Sequence, residues 1–235
     1  MVKYADRITA LPPYLFAEVD RAKQQKVREG VDVIDLGVGD PDTPTPDYVI
    51  ESLCEAVRKP ETHQYPSYSG SNVFRDAAAR WCAERFGVRL DPAAEVITLI
   101  GSKEGIAHIP LAFVNRGDYT LCPNPAYPVY GIGTTLADGV PYDMPLREEN
   151  GFRPDLSAVP KDVLRKAKML FINYPNNPTA AVADKAFLRE VVDFGRDHGI
   201  VVVSDNAYSE IAYDGYRAPS ILEVPGAMDC CIEFH

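Results

Sequence analysis

The sequence predicts an α/β fold with a mostly parallel sheet, and three observations carry that prediction. From residue 95 onward, short apolar runs alternate with helical patterns, as strand–helix–strand units do. The run "IVVVS" (200–204) is β-branched almost throughout, which suits a strand covered on both faces, as parallel strands are. There is no internal repeat and no low-complexity segment, and 235 residues with 46% hydrophobic positions suffice for one large domain or one and a half.

Residues 1–45 are richer in proline and irregular, and read as an arm plus the start of a smaller domain. The remainder, 46–235, reads as the large domain. "PDYVIESLCEAVRK" (46–59) and "SNVFRDAAARWCAERFG" (71–87) are amphipathic helix patterns, the second ending at Gly87 as a helix C-terminus should. Strands are expected at "EVITLI" (95–100), "YTLC" (119–122), "VPYDM" (140–144), "KMLFIN" (168–173), "IVVVSD" (200–205) and "CCIEF" (230–234). Helices are expected between them at 103–115, 126–137, 160–166 and 184–198. In the last, Phe187, Val191, Val192 and Phe194 form one apolar side.

A net charge of −10 argues against nucleic acid or an anionic membrane as the main partner, since both require clustered Lys and Arg. No run approaches the roughly 18 apolar residues of a membrane span, and "MVKYADRITA" lacks the apolar core of a secretion signal; a cytoplasmic location is expected. The five cysteines, Cys54, Cys82, Cys122, Cys230 and Cys231, show no Cys-x-x-Cys and no histidine at ligand spacing. Reduced core thiols are the expectation, with neither a disulfide framework nor a metal site.

Ligands of open parallel sheets bind beyond the carboxyl ends of the strands, and four such ends carry suggestive residues. In "LIGSKEGIAHIP" (99–110) a strand runs through Gly101 into Ser102, Lys103 and a helix. The arrangement suits a phosphate, and equally a plain Ser N-cap. The P-loop spacing is missing, and "LGVGDPD" (36–42) lacks the third glycine of a dinucleotide fingerprint, with Pro41 barring the helix that should follow. In "NPAYPVYGIG" (124–133) Tyr127 could stack on a flat cofactor or pack as a turn residue. "INYPNNPTAAV" (172–182) sets Asn173, Asn176 and Asn177 among prolines, giving either a fixed amide donor or an ordinary turn. In "VVVSDNAYSEI" (201–211) Asp205 closes the most apolar strand and Tyr208 follows. A carboxylate there needs a cationic or hydrogen-bonding partner, such as a protonated pyridine nitrogen, or it caps the next turn.

In order and spacing these motifs resemble the fold-type I pyridoxal-phosphate-dependent aminotransferases, class I/II. Within them, "RITALPPYLFAEVDR", "LGVGDPDTPTP", "YPSYSGSNVFRDAAARW", "LIGSKEGIAHIPLAFVNRGD" and "DNAYSEIAYDGYRAPSILEVPGA" look most like the bacterial LL-diaminopimelate aminotransferases. The resemblance implies a three-layer αβα major domain, incomplete here, and pyridoxal 5′-phosphate as cofactor. It also implies amino-group transfer between an amino acid and a 2-oxo acid, such as LL-2,6-diaminopimelate and 2-oxoglutarate in lysine biosynthesis. By the same resemblance Ser102 and Lys103 hold the phosphate, Tyr127 stacks on the ring, and Asn177 and Tyr208 bond the phenolic oxygen. Asp205 pairs with the ring nitrogen. Tyr65, in "HQYPSYSG", reaches the phosphate of a partner subunit, so a homodimer is expected; Gly39 lies near the substrate carboxylate. No metal is implied.

Two departures accompany it. Ala180 stands where the family usually has glycine, which bears on the backbone of that turn. The family's Schiff-base lysine follows the strand that "CCIEFH" resembles and is expected beyond His235. The nine lysines, Lys3, Lys23, Lys26, Lys59, Lys103, Lys161, Lys166, Lys168 and Lys185, are in the arm, on helices or at a strand's beginning, except Lys103 at the phosphate. No catalytic residue is therefore expected within the chain, which reads as a fragment inactive by itself. With the family's next strand absent, 95–100 and 230–234 would present unpaired edges, so poor solubility is expected. Alternatives on the same fold are an aspartate- or alanine-type aminotransferase or a carbon–sulfur lyase. An alternative of another class is a non-catalytic pyridoxal-phosphate-binding module; a transcription regulator is disfavoured by the acidic charge.

Overall fold

The computed structural model describes residues 2–12, 15–37, 39 and 43–235, with the backbone alone for Leu15 and Phe16. They divide into two compact units, Leu11–Ser67 and the larger Met1–Ala10 with Tyr68–His235. The smaller unit contains α2 (Leu15–Arg28) and α3 (Asp47–Val57). The larger contains α1 (Asp6–Thr9), α4 (Asn72–Phe86), α5 (Ser102–His108), α6 (Pro110–Phe113), β1 (Tyr119–Asn124), α7 (Val129–Leu136), β2 (Val140–Pro145), α8 (Lys161–Leu164), β3 (Ala167–Asn173), α9 (Lys185–His198), β4 (Val201–Asp205) and β5 (Cys231–Phe234). Among the described residues no helix is long and apolar enough to cross a membrane.

The strands form one sheet in the order β2-β1-β3-β4-β5, and every neighbouring pair is parallel. Alternate residues of β3 face opposite ways. Leu170 and Ile172 pack with Phe187, Leu188, Val191 and Val192 of α9, whereas Met169 and Phe171 pack with Ile106 of α5 and Val129 and Tyr130 of α7. Both faces are thus covered, which explains why the central strands are apolar without alternation and gives the three layers. α9 is set by its ends: the Asp184 carboxylate accepts the Phe187 N–H at 2.8 Å, and Gly199 takes the left-handed conformation, φ 61°, that glycine adopts without a Cβ clash.

β5 is fastened through Glu233, whose side chain is 1% exposed. It accepts hydrogen bonds from Ser220 Oγ at 2.5 Å, the Ile221 N–H at 3.0 Å and Ser204 Oγ at 3.1 Å. A buried carboxylate is tolerable when donors surround it in this way.

Three sequence expectations change. Residues 95–100 form no strand. An apolar run becomes a strand only when a neighbour takes up its backbone groups; here Thr98 N–H bonds Ser69 O at 3.0 Å, while Ile97 and Ile100 are exposed. The helix expected at 103–115 is two, α5 and α6, because Pro110 has no N–H to continue the ladder. The stretch read as an irregular arm contains α2, where Lys26 pairs with Glu29 at 2.7 Å and Gln24 donates to Asp20 at 3.0 Å. Its segment 15–28 is free of Gly and Pro and is followed by Gly30, a signal masked by the prolines just before it. The Pro41 read as barring a helix lies outside the described residues, as do Val38, Asp40 and Asp42.

Candidate functional site

The carboxyl ends of β1, β3 and β4 bring four of the eight expected residues, Tyr127, Asn177, Asp205 and Tyr208, to one end of the sheet in the larger unit. Asp205 is the last residue of β4 and is only 6% exposed. Its Oδ2 accepts the Tyr130 hydroxyl at 2.8 Å, and its Oδ1 is buried without a hydrogen-bond partner. Burial pushes the Asp205 carboxyl above its ordinary value, against the opposing pull of the Tyr130 hydroxyl, the Ala207 N–H and the nearby His235. Tyr130 is 1% exposed, and its ring stacks on Phe171 at 4.9 Å and 13°. Burial, then the Asp205 charge, push its hydroxyl far upward, so it stays a donor.

The turn after β3 is built by its own asparagines. Asn173 Nδ2 donates to the Asp205 carbonyl at 2.8 Å and Asn173 Oδ1 accepts the Asn177 N–H at 2.7 Å, tying this turn to the end of β4. Asn176 Oδ1 accepts from the Thr179 N–H at 3.1 Å and its hydroxyl at 2.8 Å. So held, Asn177 Nδ2 donates to the Tyr208 hydroxyl at 3.2 Å, and both side chains are half-buried. Ala180 sits at φ 58°, with its N–H on Asn176 O at 2.8 Å. An L-residue there costs roughly 1–2 kcal/mol. Ala180→Gly is expected to raise stability by about 0.5–1 kcal/mol after glycine's greater chain entropy is deducted; a urea midpoint at or below that of the unaltered chain would overturn this account of the turn.

Tyr127 follows β1, half-buried, with its ring edge-on to Tyr130 at 6.1 Å and 83°. The Lys103 ammonium lies 5.8 Å from the Tyr127 ring centroid. Ser102 opens α5 behind Gly101, φ 76°, which is the N-cap with no side-chain cap bond; the Ser102 hydroxyl instead donates to His235 O at 2.5 Å. Six expected residues, Ser102, Lys103, Tyr127, Asn177, Asp205 and Tyr208, therefore fall in the larger unit in three linked groups. Tyr65 and Gly39 belong to the smaller unit and are exposed there. Tyr130 escaped the sequence reading. The available signal was the buried carboxylate's need for a donor, together with a second tyrosine one helical turn after Tyr127.

An asparagine–tyrosine pair, an aromatic ring near an ammonium and a buried carboxylate with one oxygen unmatched are groups that could hold a flat, anionic ring bearing a cationic N–H. The chain belongs to the aminotransferase class I and II family, whose model matches residues 31–232, a family dependent on pyridoxal phosphate. It is 59% identical over 235 residues to the LL-diaminopimelate aminotransferase of Aquifex aeolicus (strain VF5), covering 100% of this chain and 61% of that protein. It is 58% identical over 231 residues to that of Desulforudis audaxviator (strain MP104C), covering 98% and 59%. Among solved structures it is similar to substrate-bound BacF from Bacillus subtilis, with a TM-score of 0.93 and 36% identity over 99% of this chain and 59% of that one. It is also similar to a probable N-succinyldiaminopimelate aminotransferase from Thermus thermophilus, with a TM-score of 0.88 and 42% identity over 94% and 59%. The chain thus spans about 60% of the length of the curated relatives it matches.

Proposed function

We propose that residues 46–235 form the cofactor-binding part of a pyridoxal-phosphate-dependent transaminase, with residues 1–45 an arm and the start of a smaller domain. The reaction moves an amino group between an amino acid and a 2-oxo acid. LL-2,6-diaminopimelate and 2-oxoglutarate are the proposed pair, on the strength of the names of its relatives. The full-length protein is read as a cytoplasmic homodimer acting in lysine biosynthesis.

One observation carries the reading: Asp205 Oδ1 is buried with its hydrogen-bonding capacity unmet, which a cationic ring N–H satisfies. When bound, the cofactor supplies a protonated pyridine ring that draws electrons from the substrate Cα. Asp205 Oδ1 would hold the proton on that ring nitrogen, with Tyr130 fixing the carboxylate through Oδ2. Tyr127 would pack on the ring face, the Asn177 amide and Tyr208 hydroxyl would donate to the phenolic oxygen, and Ser102 and Lys103 would hold the phosphate. Gly39 borders the substrate carboxylate, and Tyr65 reaches the phosphate held by the partner subunit. No lysine of this chain is assigned the covalent role.

Equilibrium dialysis of the purified chain against pyridoxal 5′-phosphate is expected to show one saturable site, weakened by Asp205→Ala; absence of saturable binding by a folded chain refutes the reading. For the substrates, the full-length protein is expected to form glutamate faster from LL-2,6-diaminopimelate than from aspartate, and the reverse order refutes that pair.

A further inference from the structure

Cys230 and Cys231 are adjacent in sequence, and their sulfurs lie 3.7 Å apart on the side of β5 where Cys230 Sγ donates to Val192 O of α9 at 3.8 Å. Both residues are partly exposed, whereas Cys82 and Cys122 are buried and Cys54 is solitary on the surface. Nothing in the proposed transaminase chemistry uses this pair.

Its geometry suits a bridging atom better than a disulfide. Consecutive Cα atoms across a trans peptide are about 3.8 Å apart, below the roughly 4.4–6.8 Å of an unstrained disulfide. Sulfurs 3.7 Å apart are close enough for one soft atom, bonded to each at about 2.3 Å, to bridge them. The atom must need only two protein ligands, because no group of three or more His, Cys, Asp or Glu among the described residues could hold a metal ion. A monosubstituted trivalent arsenical meets this condition, since its organic group is the third ligand.

We propose that Cys230 and Cys231 form a dithiol site for monosubstituted trivalent arsenicals. The step is a condensation without redox change: two S–H bonds break, two As–S bonds form, and the As=O oxygen leaves with both protons as water. Burial pushes both thiols upward, so both carry the protons that this balance requires. The site is independent of the cofactor reading, and either can fail without the other.

Phenylarsine oxide added to the purified chain tests the site. The expected result is one adduct per chain, retained through dialysis against 2-mercaptoethanol and released by dithiothreitol. After denaturation, iodoacetamide should label three of the five cysteines, with the protected pair mapping to residues 230–231. Cys230→Ser and Cys231→Ser should each lose the retained adduct, and Cys54→Ser should keep it. An adduct that persists in both variants, protection of any other pair, or no retained adduct on the folded chain overturns the proposal. Protection mapping uses the unaltered chain, so it decides the matter even if a serine variant misfolds.

Discussion

Asp205→Asn is expected to stabilise the chain at neutral pH by about 1–3 kcal/mol while weakening its hold on pyridoxal phosphate roughly ten- to hundredfold. Both effects have one origin. The carboxylate is 6% exposed, one of its oxygens lacks a partner, and a buried charge with unmet hydrogen bonds opposes folding. An amide of the same shape keeps an acceptor for the Tyr130 hydroxyl and removes the charge; its NH2 takes the unpartnered place of Oδ1, and a neutral unmet donor costs less there than an ionised oxygen. It cannot, however, neutralise a cationic N–H, so the charge-assisted bond to the cofactor is lost. The pH dependence fixes the sign. The folded carboxyl is raised above 3.8, so the native chain binds this proton more tightly than the unfolded one. In the unaltered chain, acidification through the folded value towards the unfolded one adds stability from this group. The advantage of Asp205→Asn should therefore be full above the folded value and shrink as pH falls through it. Urea unfolding at a series of pH values reads this directly; a less stable variant at neutral pH would falsify the view of Asp205 as an unmatched charge.

Tyr130→Phe should act in the opposite direction. The ring remains stacked on Phe171, so packing is preserved, but Asp205 loses the 2.8 Å bond to Oδ2 and keeps a buried carboxylate with neither oxygen satisfied by a side chain. A loss of about 1–3 kcal/mol is expected, together with a further rise of the Asp205 value. In the Asp205→Asn background the same substitution should cost markedly less, because no buried charge remains to be left unmatched. A double-mutant cycle on unfolding free energy isolates this coupling. Equal costs in the two backgrounds would mean that Tyr130 contributes packing alone.

The parts of the molecule that sequence made legible are those whose signal is local. The runs at 119–122, 168–173 and 200–205 lie within β1, β3 and β4 apart from Ile200, one residue before β4, because strands buried on both faces are apolar along most of their length rather than at alternate positions. Gly87 ends α4 at φ 72°, and Asp205 stands out in the sequence as a carboxylate closing a dry strand. What escaped depends on partners distant in sequence. Residues 95–100 have the composition of a strand, but composition does not state whether a neighbour will accept the ladder. Tyr130 and Asp205 are far apart along the chain, and nothing local to "AYPVYG" announces that its second tyrosine serves a carboxylate on β4. The turn at Asn173–Asn177 stands out in the sequence for its density of Asn and Pro. The fact that Asn173 uses both ends of its amide, one on Asp205 O and one on Asn177 N–H, emerges only in three dimensions.

The strand order β2-β1-β3-β4-β5 has a consequence independent of any site residue. After β1 the chain turns outward to β2, and after β3 it turns the other way to β4. The two connecting helices therefore lie on opposite faces of the sheet, α7 with Met169 and Phe171 and α9 with Leu170 and Ile172. The segments leaving β1 and β3 diverge, which makes the gap between these strands a topological switch point, the place where open parallel sheets take their ligands. Tyr127 follows β1 on one side of that point and Asn177 follows β3 on the other, so the winding of the chain alone, before any side chain is considered, singles out the end of the sheet that the proposed function uses.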